Sequence, residues 1–363
     1  MHVEHLIIGA GPTGLGAAWR LEQRGSRDWL ILEAGEVAGG FARSVVDEHG
    51  FTWDLGGHQQ VSHCEMFDEL MDELLGPDGW LCHERECWVW TRGRFVPCPL
   101  QLRLHGLPSS DAGQHRFRFP RRGGTGAVWQ ALARRLTARD AAGAGRIRFR
   151  TAVKHVDTAA RRLALSDGTE ITCGVLISTM PIDRLIASSD LARDLRAATR
   201  DLEYSSTHVV GVGLHGAPPA SLANKCRIYF PEGDCPFYRV THFSRYSPNN
   251  VADPATQWSL LVEISESPRA AADRARLVND VIEGLVATSL IESPDQVHHT
   301  WHTRLEHGCP VPSLRRDRAL SGILSTLDAR RVFSRGRFGA WKYEVSNRDH
   351  SFAQGVEVVD ALL

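Results

Sequence analysis

Gly9, Gly11 and Gly14 stand as G-x-G-x-x-G directly after the apolar, β-branched run of residues 3–8. Each glycine meets a separate need: a tight turn at Gly9, close backbone approach to a pyrophosphate at Gly11, and packing of helix on strand at Gly14. Pro12 and Thr13 sit inside the same turn, and Ala17, Ala18, Trp19 and Leu21 continue it as a helix. The unsatisfied N–H groups at the start of such a helix attract phosphate. A second apolar run, residues 29–32, ends at Glu33 and Ala34. A carboxylate about twenty residues beyond the glycines can accept both ribose hydroxyls. Strand, turn, helix, strand and acid in register make a dinucleotide site, which a bare glycine triplet would not.

Two later stretches add to this. AGEVAGGFARS (34–44) holds Gly39, Gly40, Phe41, Arg43 and Ser44. It resembles the extended signature of FAD enzymes of the amine-oxidase group. GFTWDLGGHQQ places Gly56 and Gly57 straight before His58, which from the residues alone reads as a partly exposed turn histidine. RIRFRTAVKHVD (146–157) resembles the strand whose backbone, near Val153, meets the adenine in those enzymes. CGVLISTMPI (173–182) resembles the strand that returns to the same sheet, and NRDHSFAQGVEVVD reads as a loop and helix with Ser351 as cap.

The elements that position these residues need a large core, and the composition allows one. The chain has 363 residues, 42% apolar and 23% charged, with a net charge of −1. That bounds it to one large or two ordinary domains and gives no electrostatic sign of a nucleic-acid or membrane partner. The basic residues are nearly all Arg, suited to bidentate recognition of phosphate or carboxylate where they converge. None of the eight cysteines forms C-x-x-C or a Cys/His zinc spacing, so no metal is expected. The sequence has neither a signal peptide nor a long apolar run, which points to a cytoplasmic protein with reduced thiols.

Longer strings carry a sharper resemblance. GFTWDLGGHQQVSHCEMFDELMDELL, HERECWVWTRGRFVPCPLQ, KCRIYFPEGDCPFYRVTHFSRYSP and SRGRFGAWKYEVSNRDHSFAQGVEVVD follow one another over most of the chain. In that order they resemble the UDP-galactopyranose mutase family, its eukaryotic branch above all. The resemblance implies an α/β fold: a Rossmann-like FAD-binding domain of the amine-oxidase type with a mixed-sheet substrate domain. It places Gly56, Gly57 and His58 against the flavin ring, where glycine lets backbone lie flat. Asn347 and Ser351 fall on flavin contacts, and Arg337 on an arginine beside flavin and substrate. Arg239 falls on the diphosphate-binding arginine. Tyr229, Tyr246 and Tyr343 fall on phosphate-binding tyrosines, and Gln101 on a position near the uridine. The implied catalytic set is His58, Arg239 and Arg337. The implied chemistry is a non-redox use of reduced FAD, its N5 displacing the diphosphate from a nucleotide sugar that then closes in the other ring size. An external reductant such as NADPH would keep the flavin reduced.

The chain also departs from that family. Residues 101–118 are a short Pro, Ser and Gly linker where the family has a helical insertion, and Cys98 and Cys309 replace two tyrosines. The expected division is a discontinuous FAD domain at 1–100, 119–200 and 334–363, with a substrate domain at 201–333. Without the insertion a monomer is expected. Two alternatives stay open: an FAD-dependent oxidoreductase of amine-oxidase type, and an inactive flavin-binding relative.

Overall fold

A computed structural model describes residues 1–98, 116–138, 145–344 and 347–363. The two N-terminal apolar runs form the middle of a seven-stranded sheet. His2–Ile8 pairs in parallel with Trp29–Leu32 on one side and Glu170–Ser178 on the other. Each of these strands ends buried on both faces, so the sequence shows continuous apolar runs in place of alternation. Ile147–Arg148 and Val332–Ser334 extend the sheet in parallel, and the antiparallel pair Val153–Asp157 and Arg162–Leu165 closes one edge. The helices Pro12–Gln23 and Arg348–Asp360 pack against each other. Their contact is close because neither side has a Cβ to spare: one on Gly355 would lie 2.0 Å from the Thr13 carbonyl oxygen.

The second sheet also has seven strands. Its order is Val297–Pro310, Tyr204–His215, Gln257–Glu266, Arg239–His242, Arg227–Tyr229, Cys87–Thr91 and Arg94–Pro97. All pairs are antiparallel except Arg227–Tyr229 with Cys87–Thr91, so the sheet is mixed. Val210, Val212, Leu260 and Val262 meet the helix Leu277–Ala287 on one face. Val209 and Leu261 join Trp53, Phe117, Phe119, Phe243 and Tyr246 on the other.

The chain divides differently from the sequence expectation at several points. Cys87–Thr91 and Arg94–Pro97 belong to the second sheet, because the edge of Arg227–Tyr229 takes them as partners. The helix Arg316–Asp328 sits on the first sheet, burying Leu320, Ile323 and Leu327 with Leu6 and Leu176. Residues 116–118 lie in the strand Arg116–Pro120, paired with Trp80–Glu84, and residues 101–115 of the expected linker lie outside the described residues. Ser351 is not a cap: Asn347 precedes the helix and Ser351 falls in its first turn.

Candidate active site

A cavity of about 700 Å³ lies where the glycine turn of the first sheet faces the second sheet. Gly9, with φ +99°, makes the turn, and a Cβ on Gly14 would fall 1.9 Å from the Gly9 carbonyl oxygen. Gly11 is open: the nearest atom to a Cβ there is Gly40 Cα, 3.8 Å away. The Glu33 carboxylate is fixed by two backbone donors, Ala10 N–H and Gly35 N–H, both at 2.7 Å. Each oxygen holds one of these bonds and keeps acceptor capacity for a ribose hydroxyl.

The second sheet builds its side by register. Tyr229, Arg239 and Glu263 stand opposite one another in one row. Arg227 and Thr241 stand in a row two residues along, and so on the same face. Arg239 donates two hydrogen bonds of 2.5 Å to the Glu263 carboxylate. The Gly57 peptide crosses this face, its N–H donating to Glu263 Oε2 at 3.1 Å and its carbonyl accepting from Arg227 Nη2. A Cβ on Gly57 would lie 2.1 Å from Thr241 Oγ1. Gly57 therefore has no side chain because the second sheet leaves no room for one. That restriction comes from the protein itself and stands beside the backbone approach to the flavin that the resemblance implies.

Charge is concentrated here. Arg85, Arg227, Arg239, Arg337 and Arg348 all line the cavity. Burial works against the Arg239 charge, but Glu263 outweighs it and holds the guanidinium well above its ordinary pKa. Burial would raise Glu263, yet Arg239 and the Gly57 N–H bring it down to about 2. That ion pair is internally neutralised. Arg348 is different: burial lowers it to about 10, against Asp54 and Asp349, so it stays cationic at neutral pH. Burial, then Arg348 with Arg239 and Arg337, pushes His58 down to about 3 against Glu263, leaving a neutral imidazole. Asp54, bonded by Ser44 at 2.5 Å and by Thr125 N–H, is raised by burial to about 6. Buried donors at Arg85 Nε, Arg227 Nε, Arg337 Nε and Arg348 Nη2 have no protein partner among the described residues. Buried donors without partners cost about 1–3 kcal/mol each, and an anion in the cavity would relieve that cost.

The cavity brings together most of the residues expected from sequence. From the glycine side come Gly9, Gly11, Pro12, Thr13, Glu33 and Ala34, then Gly40 and Phe41. Gly57, His58, Arg239, Arg337, Asn347 and Ser351 join them. Gly14, Gly39, Ser44 and Gly56 stand behind this lining, and Val153 lies off it on its edge strand. The tyrosines do not converge on the cavity. Tyr229 lies beside Arg227 at 3.4 Å, whereas Tyr246 is buried in the aromatic cluster with its hydroxyl accepting from Gln59 at 3.0 Å. Tyr343 is 37% exposed and packs on Arg316. Gln101 lies outside the described residues. Cys309 accepts a hydrogen bond from Arg337 Nη2 at 3.3 Å, which ties a position of departure to a predicted catalytic residue.

Sequence reasoning missed Glu263, Arg85, Arg227 and Arg348. Arg227 was within reach of it: CRIYF alternates, so Arg227 and Tyr229 share a face of the strand. Glu263 had no local signal, because its partner is 24 residues away and is set by strand register.

Comparison with known proteins settles the family. A crystal structure of reduced UDP-galactopyranose mutase is 34% identical, with a TM-score of 0.90, over 100% of this chain and 94% of that one. The chain belongs to the UDP-galactopyranose mutase family. The family described as flavin containing amine oxidoreductase matches residues 103–320, and an NAD(P)-binding Rossmann-like domain matches residues 7–74. Two more distant structures share the fold alone. A fatty acid isomerase from P. acnes is 15% identical with a TM-score of 0.71, over 99% of each chain. A putrescine oxidase is 14% identical with a TM-score of 0.68, over 100% of this chain and 99% of that one.

This is a flavin enzyme and its cofactor is FAD. The residues fit that group. Gly11 leaves backbone open to the cavity, and Glu33 is preset by two N–H donors. The first turns of the two packed helices line the same space through Pro12, Thr13 and Ser351. Among the described residues no helix is long and apolar enough to cross a membrane.

Proposed function

We propose that this protein interconverts pyranose and furanose forms of an activated sugar, with a nucleoside-diphosphate sugar as substrate. The observation that carries this reading is the set of buried guanidinium donors without partners around the cavity, beside an Arg239 already neutralised by Glu263. Arg227, Arg337 and Arg348 would hold the diphosphate as charge develops on it. When bound and reduced, FAD supplies a nucleophilic N5, and an external reductant such as NADPH maintains that state. His58, neutral at physiological pH, can accept or donate a hydrogen bond at its ring nitrogens without adding charge beside the leaving group. In this reading Arg239 with Glu263 positions the Gly57 peptide, and Tyr229 stands beside that framework. Tyr246, Tyr343 and Gln101 are kept as proposed substrate contacts on the family resemblance alone.

The segment 101–118 would replace the family's helical insertion, as in a variant of its eukaryotic branch, and the protein would be a cytoplasmic monomer. Eight free cysteines favour a reducing compartment. A cationic amine substrate fits poorly against several arginines, which disfavours the amine-oxidase alternative. The deciding experiment incubates dithionite-reduced protein, without oxygen, with a panel of nucleotide sugars and separates ring isomers by chromatography. Isomer formation with reduced but not oxidised protein supports the reading. Peroxide release from an amine or alcohol by oxidised protein, with no ring isomer formed, would replace it with an oxidoreductase.

A further inference from the structure

A second cluster of ionisable side chains lies outside the cavity. Ser44–Val46 and Thr52–Asp54 form a hairpin, and its turn carries His49. The turn meets the strand Val297–Pro310 at His298 and His299. One ring nitrogen from each of the three histidines lies within 4.8 Å of the other two. The His49 ring is 4.3 Å from that of His299 and 5.2 Å from that of His298. His215, at the end of the neighbouring strand, adds a fourth imidazole 4.4 Å from His298.

His299 is the built part of this cluster. Its side chain is only 10% exposed. Nε2 is held by Asp47 Oδ2 at 2.6 Å, while Nδ1 is buried with no hydrogen-bond partner. Asp47 is itself anchored by Trp53 Nε1 at 2.6 Å and by the N–H groups of His49 and Phe51 at 2.9 Å. A carboxylate on one imidazole nitrogen, leaving the other unpaired, fixes the tautomer and ring angle of a metal-binding histidine.

We propose that His49, His298 and His299 form a binding site for a borderline divalent first-row ion such as Zn2+, with Asp47 orienting His299. Imidazole suits zinc, nickel and copper, whereas magnesium and calcium seek oxygen ligands. His49 lies about 250 residues from the adjacent pair His298 and His299, so no sequence spacing reveals the set. Bound there, the ion ties the hairpin turn to the second sheet. The hairpin runs on directly into Gly56, Gly57 and His58, so the ion would steady the approach to the cavity without entering it.

The test uses untagged holoenzyme, since a histidine tag would compete. Zn2+ is titrated against a chromogenic chelator, and its effect on thermal unfolding is followed in parallel. The expected result is one ion bound per chain and a raised unfolding midpoint. His49→Gln with His298→Gln alters two exposed side chains, so folding is preserved and circular dichroism confirms it. That double variant keeps one of the three ligands and should lose both saturable Zn2+ binding and the thermal shift. Unchanged binding in the double variant overturns the site, as does the absence of saturable binding by the parent. So does binding that disappears when the cysteines are alkylated, since the ligands would then be thiols.

Discussion

The two sheets prepare one cavity by opposite means. The first sheet offers backbone: a glycine turn, two helix N-termini, and a carboxylate held by two N–H groups. The second offers side-chain charge placed by register, with Arg239 and Glu263 cross-linked and Arg227 clamping Gly57. Backbone donors are weak individually but need no counter-charge. The second half is held together by a buried ion pair, which fails badly when one member is lost. The halves should therefore break differently.

The largest effect is expected at Glu263. Glu263→Ala leaves Arg239 charged, buried and unpaired, and removes the acceptor of the Gly57 N–H. A loss of about 3–5 kcal/mol of unfolding free energy is expected from such a break, measured by urea denaturation. Glu33→Ala removes an equally bonded carboxylate from the other half, but only one part-buried and one exposed backbone donor lose a partner there. It should spare most of the stability and weaken FAD binding instead. Equal losses of stability in the two variants would dissolve the distinction.

Next comes Arg337→Ala, which should lower turnover by about 10²–10³-fold, the size expected when one preorganised partner of a developing anion is lost. Stability and flavin content should change little, because among the described residues its side chain hydrogen-bonds Cys309 alone. Arg337→Lys should recover part of the activity, since a point charge lacks the planar fork. Arg239→Ala should differ by losing stability together with activity. If Arg239→Ala behaves like Arg337→Ala, its pairing with Glu263 does not matter to function.

A smaller effect is expected where the halves touch. Gly57→Ala puts a Cβ 2.1 Å from Thr241 Oγ1, and overpacking of this kind costs about 1–3 kcal/mol. Adding Thr241→Ala should restore part of the loss. If flavin contact alone were the reason for glycine, Thr241→Ala would rescue nothing, so the pair separates the two explanations.

The same contrast explains what could be read in advance. Gly9, Gly11, Gly14 and Glu33 sit in one continuous stretch, so their local spacing already is their geometry. GGH was visible as a string, yet the reason for Gly57 lies in Thr241, which is far along the chain and meets it only through the second sheet. Glu263 lies in WSLLVEISE, and nothing in that string shows which residue will stand opposite it. Tyr246 was assigned from its position in a family string, whereas its burial depends on Phe117, Phe119 and Phe243 packing around it. The strands Cys87–Thr91 and Arg94–Pro97 likewise carry no mark of which sheet they will join.

The smallest effect concerns pH, because two buried groups at the cavity oppose each other. His58 has an ordinary pKa of 6.5, lowered to about 3 in the fold by burial and by the guanidiniums. Its folded form binds fewer protons than its unfolded form, so its contribution to stability is complete above 6.5 and is lost as pH falls towards 3. Asp54 runs the other way. Its pKa rises from 3.8 to about 6 on burial, so the folded form binds more protons, and its contribution grows as pH falls from 6 to 3.8. Each proton is worth at most ~1.4 kcal/mol per pH unit. Between about pH 6 and 4.5 these two slopes should nearly cancel each other, leaving the slope of other buried groups such as His242, which burial lowers from 6.5 to about 4. Below 3.8, where the Asp54 contribution is complete, it no longer offsets Glu263, whose stabilisation, complete above its ordinary 4.5, is lost as pH falls towards 2. His58→Gln should uncover the Asp54 slope, so that variant gains stability relative to the parent as pH falls from 6 to 4.5. Asp54→Asn should uncover the His58 slope and do the reverse. Urea denaturation of the three proteins across that range measures both slopes, and parallel profiles would mean that neither group is perturbed as its burial requires.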